Sequence, residues 1–110
     1  RNALPFKNPF CHPSVMFRKK TFIKHSGYLG GRYSEDYYLW LRLARDQNVG
    51  FANIQKPLLQ YRLSDIQTRG LRWAYAEVAG FLWAEFLFNF QFKFLIGAIF
   101  SSLKIFRSRK

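Results

Sequence analysis

The apolar and polar positions of the first 63 residues predict three short strands and two helices. The run 14–18, "SVMFR", is apolar and β-branched at Val15, which predicts a buried strand. Residues 19–27 predict a short basic helix that ends at Gly27, because glycine commonly follows the last turn of a helix. Residues 49–54 and 58–63 predict two further strands, which Pro57 separates. The predicted order is therefore strand, helix, loop, helix, strand and strand.

The second predicted helix begins after Ser34, a residue type that is favoured at helix N-caps. Glu35 and Asp36 would then occupy its first turn, where the helix macrodipole stabilises negative charge. The helical face that we expect to be buried carries Leu39, Trp40 and Leu43.

Residues 71–106 are long, aromatic and poor in turn signals, which predicts one or two helices. Within them, "FNFQFKF" at 88–94 alternates as a strand would, but the flanking Ala, Leu and Glu residues favour helix. Glu85, Asn89 and Lys93 recur every fourth residue. This spacing predicts one polar stripe along a mostly apolar helix.

The composition favours an anionic partner. The 110 residues carry a net charge of +12, and 20% of them are aromatic. Basic chains attract phosphates, anionic lipid headgroups and nucleic acids, while the aromatic content is unusual for a disordered tail. Cys11 is the single cysteine, so neither an internal disulfide nor a cysteine metal site can form.

The acidic pair allows two interpretations. Carboxylates in a first helical turn stabilise the helix by roughly 0.3–1 kcal/mol, which would explain the pair without any chemistry. A carboxylate at a helix start, beside a glycine-rich loop and aromatic walls, is also suited to act as a general base. The two roles do not exclude each other.

Four pieces in a fixed order carry a resemblance to a known family: "HPSVMFRK", the "GY" of 27–28, "EDYYLWLRL" and "PLLQYRLSD". Over about residues 8–68 the chain resembles the C-terminal half of a family 2 glycosyltransferase. The resemblance implies the C-terminal part of a GT-A nucleotide-diphospho-sugar transferase fold, which is α/β, followed by a helical tail. It implies transfer of a sugar from a nucleotide-sugar to an acceptor hydroxyl with inversion.

By this resemblance, Asp36 is the general base that deprotonates the acceptor, and Glu35 is its neighbour. The residues expected at the acceptor or substrate are His12, Trp40, Arg42 and Arg62. Core packing is the alternative for Trp40, and an ion pair or a solvated position is the alternative for Arg42.

We expect the metal of the complete enzyme to bind outside this chain. After its Tyr-Arg pair the family often carries a metal-binding histidine, whereas this chain has Ser64 and Asp65. No Asp-x-Asp occurs either, so we predict no metal ligand here. For the complete enzyme the resemblance implies a divalent metal, Mg or Mn, bound by its N-terminal half. The expectation is therefore a fragment, inactive alone because the donor-binding half is absent.

These observations predict two regions: residues 1–68, the acceptor side of the catalytic domain, and residues 69–110, an amphipathic helical tail. The tail could pack on the catalytic domain, lie on a membrane surface or span the bilayer, although Glu85, Asn89 and Lys93 interrupt its apolar stretch. Interfacial binding fits a cytoplasmic enzyme on the inner face of the membrane, acting in cell-surface polysaccharide or glycolipid synthesis. A basic aromatic module that binds nucleic acid or membrane without catalysis is the alternative.

Overall fold

The computed structural model describes residues 1–62 and 70–107, and the elements within them are helices. A short 3-10 turn covers His12–Ser14. It is followed by α1 (Lys19–Lys24), α2 (Glu35–Arg45), α3 (Leu71–Asn89) and α4 (Phe92–Arg107). The remaining described segments are turns and irregular extended backbone.

The predicted α/β fold is wrong, because no strand or sheet forms among the described residues. The run 14–18 is extended at Val15 and Arg18, but Met16 is 96% exposed and the run pairs with no neighbour. Segments 49–54 and 58–62 are likewise irregular; Leu63 lies outside the described residues. A strand needs a partner for its main-chain hydrogen bonds, and an apolar run supplies none by itself.

The two helices predicted in the first half are confirmed. After α1 the chain turns back through Ser26 and Gly27, which both have positive φ, and the Gly27 N–H donates to the Phe22 carbonyl over 2.9 Å. Ser34 occupies the N-cap position of α2, but its hydroxyl donates to the Ala74 carbonyl over 3.2 Å instead of capping the helix. The face that was expected to be buried, namely Leu39, Trp40 and Leu43, is buried.

The tail forms two helices that pack against each other. The break lies at Phe90, which takes a left-handed conformation with φ of 50° inside the alternating stretch 88–94. This break separates Lys93 from Glu85 and Asn89, so the predicted single polar stripe is wrong. Glu85 instead points inward and is only 2% exposed.

One core joins α2 to the tail. Leu82 of α3 and Ala98 of α4 are buried in the same cluster as Leu4 and the apolar residues of α2. Gly97 lies against the N-terminal segment so closely that a Cβ there would be 1.9 Å from the Pro5 carbonyl oxygen. The boundary predicted at 68/69 lies outside the described residues, and the helices on its two sides share this core.

Candidate active site

Asp36 lies in the first turn of α2 and faces a cavity of about 390 Å³. Its side chain is 16% exposed, so its carboxylate is accessible from this space. The walls come from the N-terminal segment, the loop before α2, and helices α2, α3 and α4. Besides Asp36, they include the apolar or aromatic residues Pro5, Phe6, Tyr33, Tyr37, Ala74, Tyr75 and Val78, and the polar residues Lys7, Asn8, Ser34, Ser101 and Lys104.

Two side chains from the N-terminal segment meet the Asp36 carboxylate. The Asn8 amide Nδ2 donates to Oδ2 over 3.2 Å, and His12 Nδ1 lies 3.8 Å from the same oxygen. Within residues 1–62 and 70–107, no lysine or arginine forms an ion pair with Asp36. Among the described residues, the carboxylate is therefore oriented without a lysine or arginine partner, which suits it to accept a proton.

Tyr28 completes a chain of contacts through His12. The His12 Nε2 atom lies 3.0 Å from the Tyr28 hydroxyl, so the imidazole bridges Tyr28 and Asp36. Burial raises the pKa of Tyr28 above its ordinary value, and the negative charges of Asp36 and then Glu35 add to this effect. The family-like "GY" therefore places its tyrosine close to both carboxylates.

Arg42 supports the loop that carries Tyr28. Its two terminal nitrogens donate to the carbonyl oxygens of His25 and Gly27, and its guanidinium lies 5.0 Å from the centre of the Tyr38 ring. The side chain is buried, and burial lowers the pKa of its guanidinium. The structure thus places Arg42 against the main chain and outside the cavity that Asp36 lines.

Glu77 of α3 holds the glycine-rich loop before α2. Its Oε1 accepts from the Arg32 N–H over 2.7 Å, and its Oε2 accepts from the Tyr33 N–H over 2.9 Å. Gly31, with φ of 88°, allows the loop to approach, because a Cβ there would lie 3.0 Å from Glu77 Oε2. The tail helix therefore positions the loop that leads into Asp36.

The other predicted site residues lie apart from the cavity. Glu35 is partly exposed and does not line it. Trp40 is 2% exposed and packs edge-on against Phe10, with ring centres 5.4 Å apart. Arg62 is exposed in the irregular segment after residue 58 and is not part of the cavity wall. Of the predicted residues, the structure brings together Asp36 and His12.

Sequence reasoning missed Asn8, Tyr28 and Glu77. Asn8 precedes Pro9, which predicts a turn but gives no hint of a distant carboxylate partner. A usable signal existed for Glu77, since it is one of only six acidic residues in a strongly basic chain.

The residues around Asp36 do not fit a metal ion. In the described part of the chain, no three His, Cys, Asp or Glu side chains gather as a metal site requires. The neighbours of the carboxylate are an amide that donates to it and one imidazole. We therefore assign no chemical step in this site to a metal.

Comparison with known proteins identifies relatives. The O-antigen biosynthesis glycosyltransferase WbnJ of Escherichia coli is 45% identical over 85 residues, which cover 76% of this chain and 34% of that protein. The amylovoran biosynthesis glycosyltransferase AmsE of Erwinia amylovora is 38% identical over 74 residues, which cover 64% of this chain and 27% of that protein. No family model and no solved structure matches the chain.

A third relative has a more specific name. The UDP-Gal:alpha-D-GlcNAc-diphosphoundecaprenol beta-1,3-galactosyltransferase of Escherichia coli is 36% identical over 76 residues, covering 66% of this chain and 27% of that enzyme. The chain spans between about a quarter and a third of the length of these curated relatives. They do not favour the alternative of a nucleic-acid-binding module. The chain is a homologue of glycosyltransferases of O-antigen and polysaccharide biosynthesis and matches one part of them.

Proposed function

We propose that this chain supplies the acceptor side of an inverting, family 2 glycosyltransferase, with Asp36 as the general base. One observation carries the proposal: the Asp36 carboxylate lines a cavity at the start of α2 and has no fixed cation among the described residues. The relatives supply the reaction class, because each is named as a transferase of sugars.

In the proposed reaction, an acceptor hydroxyl binds beside Asp36 and attacks the anomeric carbon of a nucleotide-sugar. Asp36 accepts the hydroxyl proton while the nucleoside diphosphate leaves from the opposite face, so the anomeric configuration inverts. Asn8 donates a hydrogen bond that orients the carboxylate, His12 lies 3.8 Å from the same oxygen, and the Tyr28 hydroxyl contacts His12 on its other side. The cavity is within the size range of small-molecule sites, so it can hold the acceptor sugar.

The acceptor class follows from one relative. Its name specifies a sugar that is attached to a lipid through a diphosphate. A lipid-linked sugar of this kind is the acceptor we propose for the complete enzyme, in O-antigen or related polysaccharide synthesis. In this proposal the nucleotide-sugar and the divalent metal are bound mainly by the N-terminal half of the complete enzyme, so this chain alone should bind neither tightly.

A membrane surface is the proposed location of the complete enzyme, on the cytoplasmic side. Support comes from the helical pair α3–α4 and the turn between them, which carry exposed phenylalanines. Each of the following is more than half exposed: Phe88, Phe90, Phe92, Phe100 and Phe106. Arg107 lies at the end of the same helix as the last of these, does not line the cavity, and would attract anionic headgroups at about 1 kcal/mol per charge. Among the described residues, no helix is both long enough and apolar enough to cross a bilayer.

The test of the base uses a chimera in which this chain replaces the matching segment of the 45% identical Escherichia coli relative. We expect the chimera to transfer sugar and Asp36→Asn to lower kcat by about 10²–10⁴-fold, since that is the usual contribution of a general base. Asp46→Asn, the same change at the other end of α2, is the matched control: it removes a carboxylate that does not line the cavity. Assayed at a temperature where this less stable variant is folded, it should leave kcat within about threefold.

Three results would contradict parts of the proposal: its base, its donor assignment or its membrane location. Retained kcat in a folded Asp36→Asn chimera would exclude Asp36 as the base, and circular dichroism of each variant establishes the folding. Micromolar binding of a nucleotide-sugar to residues 1–110 alone, measured by calorimetry, would show that the donor site lies within this chain. If the chimera failed to float with anionic vesicles, the membrane location would be refuted, and the proposed chemistry would not be affected.

A further inference from the structure

The cavity beside Asp36 also contains two lysines from distant parts of the chain. Lys7 comes from the N-terminal segment and Lys104 comes from α4, and both line the same space as the carboxylate. The Nζ atom of Lys104 lies 5.5 Å from the centre of the Tyr75 ring, which holds it at the cavity wall. Neither lysine forms an ion pair with a carboxylate of the described residues.

We propose that Lys7 and Lys104 form a subsite for a phosphate group that is covalently attached to the acceptor sugar. A sugar whose hydroxyl approaches Asp36 could extend its phosphate toward the two lysines that line the same cavity. Hydroxyls of Tyr33, Tyr75 and Ser101 are also available there to donate to phosphate oxygens. This inference rests on the proposed function, because it names the substrate class of that site.

Charge balance supports a phosphate over a neutral sugar. Among the described residues that line the cavity, Asp36 is the single carboxylate and two lysines oppose it. A cavity built only for a neutral sugar would need no second uncompensated cation. Lysine ammonium groups bind phosphate through charge-assisted hydrogen bonds, which are stronger than hydrogen bonds between neutral groups.

The experiment measures binding of small probes to residues 1–110 by calorimetry. The probes are a hexose 1-phosphate and the neutral methyl hexoside. We expect the phosphate to bind at least tenfold more tightly, and Lys7→Gln and Lys104→Gln each to weaken it about tenfold, as loss of one charge-assisted hydrogen bond would do. Lys93→Gln is the matched control, because Lys93 also lies on α4 but does not line the cavity.

Several outcomes would overturn the subsite. Equal binding of the two probes, or equal weakening by Lys93→Gln, would show that only the overall positive charge acts. Displacement of hexose 1-phosphate by a nucleoside diphosphate of equal or higher affinity would assign the lysines to the donor instead of the acceptor. Because no transfer is measured, an inactive chimera would refute the proposed function and leave this binding result standing.

A second arm identifies the source of the phosphate. Vesicles of phosphatidylcholine that contain a phosphate-linked sugar lipid are compared with the soluble hexose 1-phosphate. Binding to these vesicles that is lost in Lys104→Gln supports a lipid-anchored acceptor, whereas binding of the soluble compound alone supports a free sugar phosphate. Either result supports the phosphate subsite. If Lys93→Gln also abolished binding to the vesicles and to the soluble hexose 1-phosphate, the subsite would be contradicted.

Discussion

Arg45 in the last turn of α2 pairs with Glu85 near the C-terminal end of α3, with Arg45 Nε 3.2 Å from Glu85 Oε2. The glutamate is only 2% exposed, whereas the arginine side chain is 48% exposed. Asn89 donates a second hydrogen bond to Oε2 over 2.9 Å. The hydrogen bond to Glu85 raises the pKa of Arg45 above its ordinary value. This pair joins the helix that carries Asp36 to the helical tail.

Loss of the arginine should destabilise the protein strongly. Arg45→Met leaves the Glu85 carboxylate buried without its cation, and we expect a loss of about 3 kcal/mol in the free energy of unfolding. This value is at the low end of the usual range because the guanidinium is partly solvated. The double variant Arg45→Met with Glu85→Met should recover much of the loss. Urea denaturation of Arg45→Met, of Glu85→Met and of the double variant checks this. A loss in the double variant equal to the sum of the two single losses would contradict the coupling.

Substitution of two helical glycines by alanine should have opposite effects on the stability of the protein. A Cβ at Gly97 would lie 1.9 Å from the Pro5 carbonyl oxygen, so Gly97→Ala must separate α4 from the N-terminal segment. We expect a loss of about 1–3 kcal/mol, as overpacking of a core costs. At Gly80 a Cβ meets nothing within 4 Å, so Gly80→Ala should stabilise by about 0.5–1 kcal/mol through helix propensity. Thermal denaturation of both variants tests the contrast, which equal effects would refute.

The buried hydroxyl of Tyr37 predicts a loss of stability in alkali. The hydroxyl donates to the Leu4 carbonyl, and burial, followed by the charge of Glu85, raises the pKa of Tyr37 well above its ordinary value. Above about pH 10 the unfolded tyrosine loses its proton first, so this stabilisation is full below pH 10 and falls as pH rises. Tyr37→Phe should therefore be less stable than the wild type by about 1 kcal/mol at pH 7.

The alkaline measurement compares the two proteins between pH 8 and pH 11 by urea denaturation. We expect their difference in free energy of unfolding to shrink above about pH 10. A difference that stays constant over this range would show that Tyr37 has no raised pKa.

The stabilising contribution of Asp46 should be lost in acid, whereas that of Tyr37 is lost in alkali. Its carboxylate accepts from Lys24 Nζ over 2.8 Å and from the Asn48 N–H over 2.9 Å, and His25 Nε2 lies 3.3 Å away. The bond from Lys24, followed by that from Asn48, lowers the pKa of Asp46 far below its ordinary value. Its contribution is therefore full above the unfolded pKa of about 3.9 and is lost as pH falls through the lower folded value.

The variant Asp46→Asn removes this contribution. We expect it to be less stable than the wild type at pH 6 and to approach the wild type below about pH 4. Denaturation curves at several acidic pH values measure the difference. A gap that persists unchanged to pH 2 would contradict the lowered pKa.

Glu77 should control the order of the loop before Asp36. Glu77→Ala removes the acceptor for the N–H groups of Arg32 and Tyr33, so their amide protons should exchange with solvent faster. We expect at least a tenfold increase at these two amides, measured by hydrogen exchange and NMR. The Gly27 amide, which donates to Phe22, is the internal reference and should not change. Unchanged exchange at Arg32 and Tyr33 would show that the contact does not hold the loop.

Local interactions made part of this structure predictable. Ser34 followed by Glu35 and Asp36 is a sequence typical of a helix start, and α2 begins at Glu35. Gly27, which has positive φ, lies in the turn that follows the end of α1 at Lys24. The buried face of α2 follows from the helical period of its apolar residues. These features depend on neighbours within about four residues, so they were correct before any tertiary structure was known.

By itself, then, the sequence determined where α1 and α2 begin, which face of α2 is buried, and that Asp36 stands at a helix start. The predicted end of α1 was less accurate, because the helix stops at Lys24, three residues before Gly27. Only the tertiary structure decided that the three apolar runs have no strand partner among the described residues, that Phe90 divides the tail, and that Glu85 is buried against Arg45. It also decided that Asn8 and Lys104 share a cavity with Asp36. The reason is physical: strand pairing, burial of a charge and assembly of a cavity each require groups that are far apart along the chain, and no local pattern specifies which distant group will arrive.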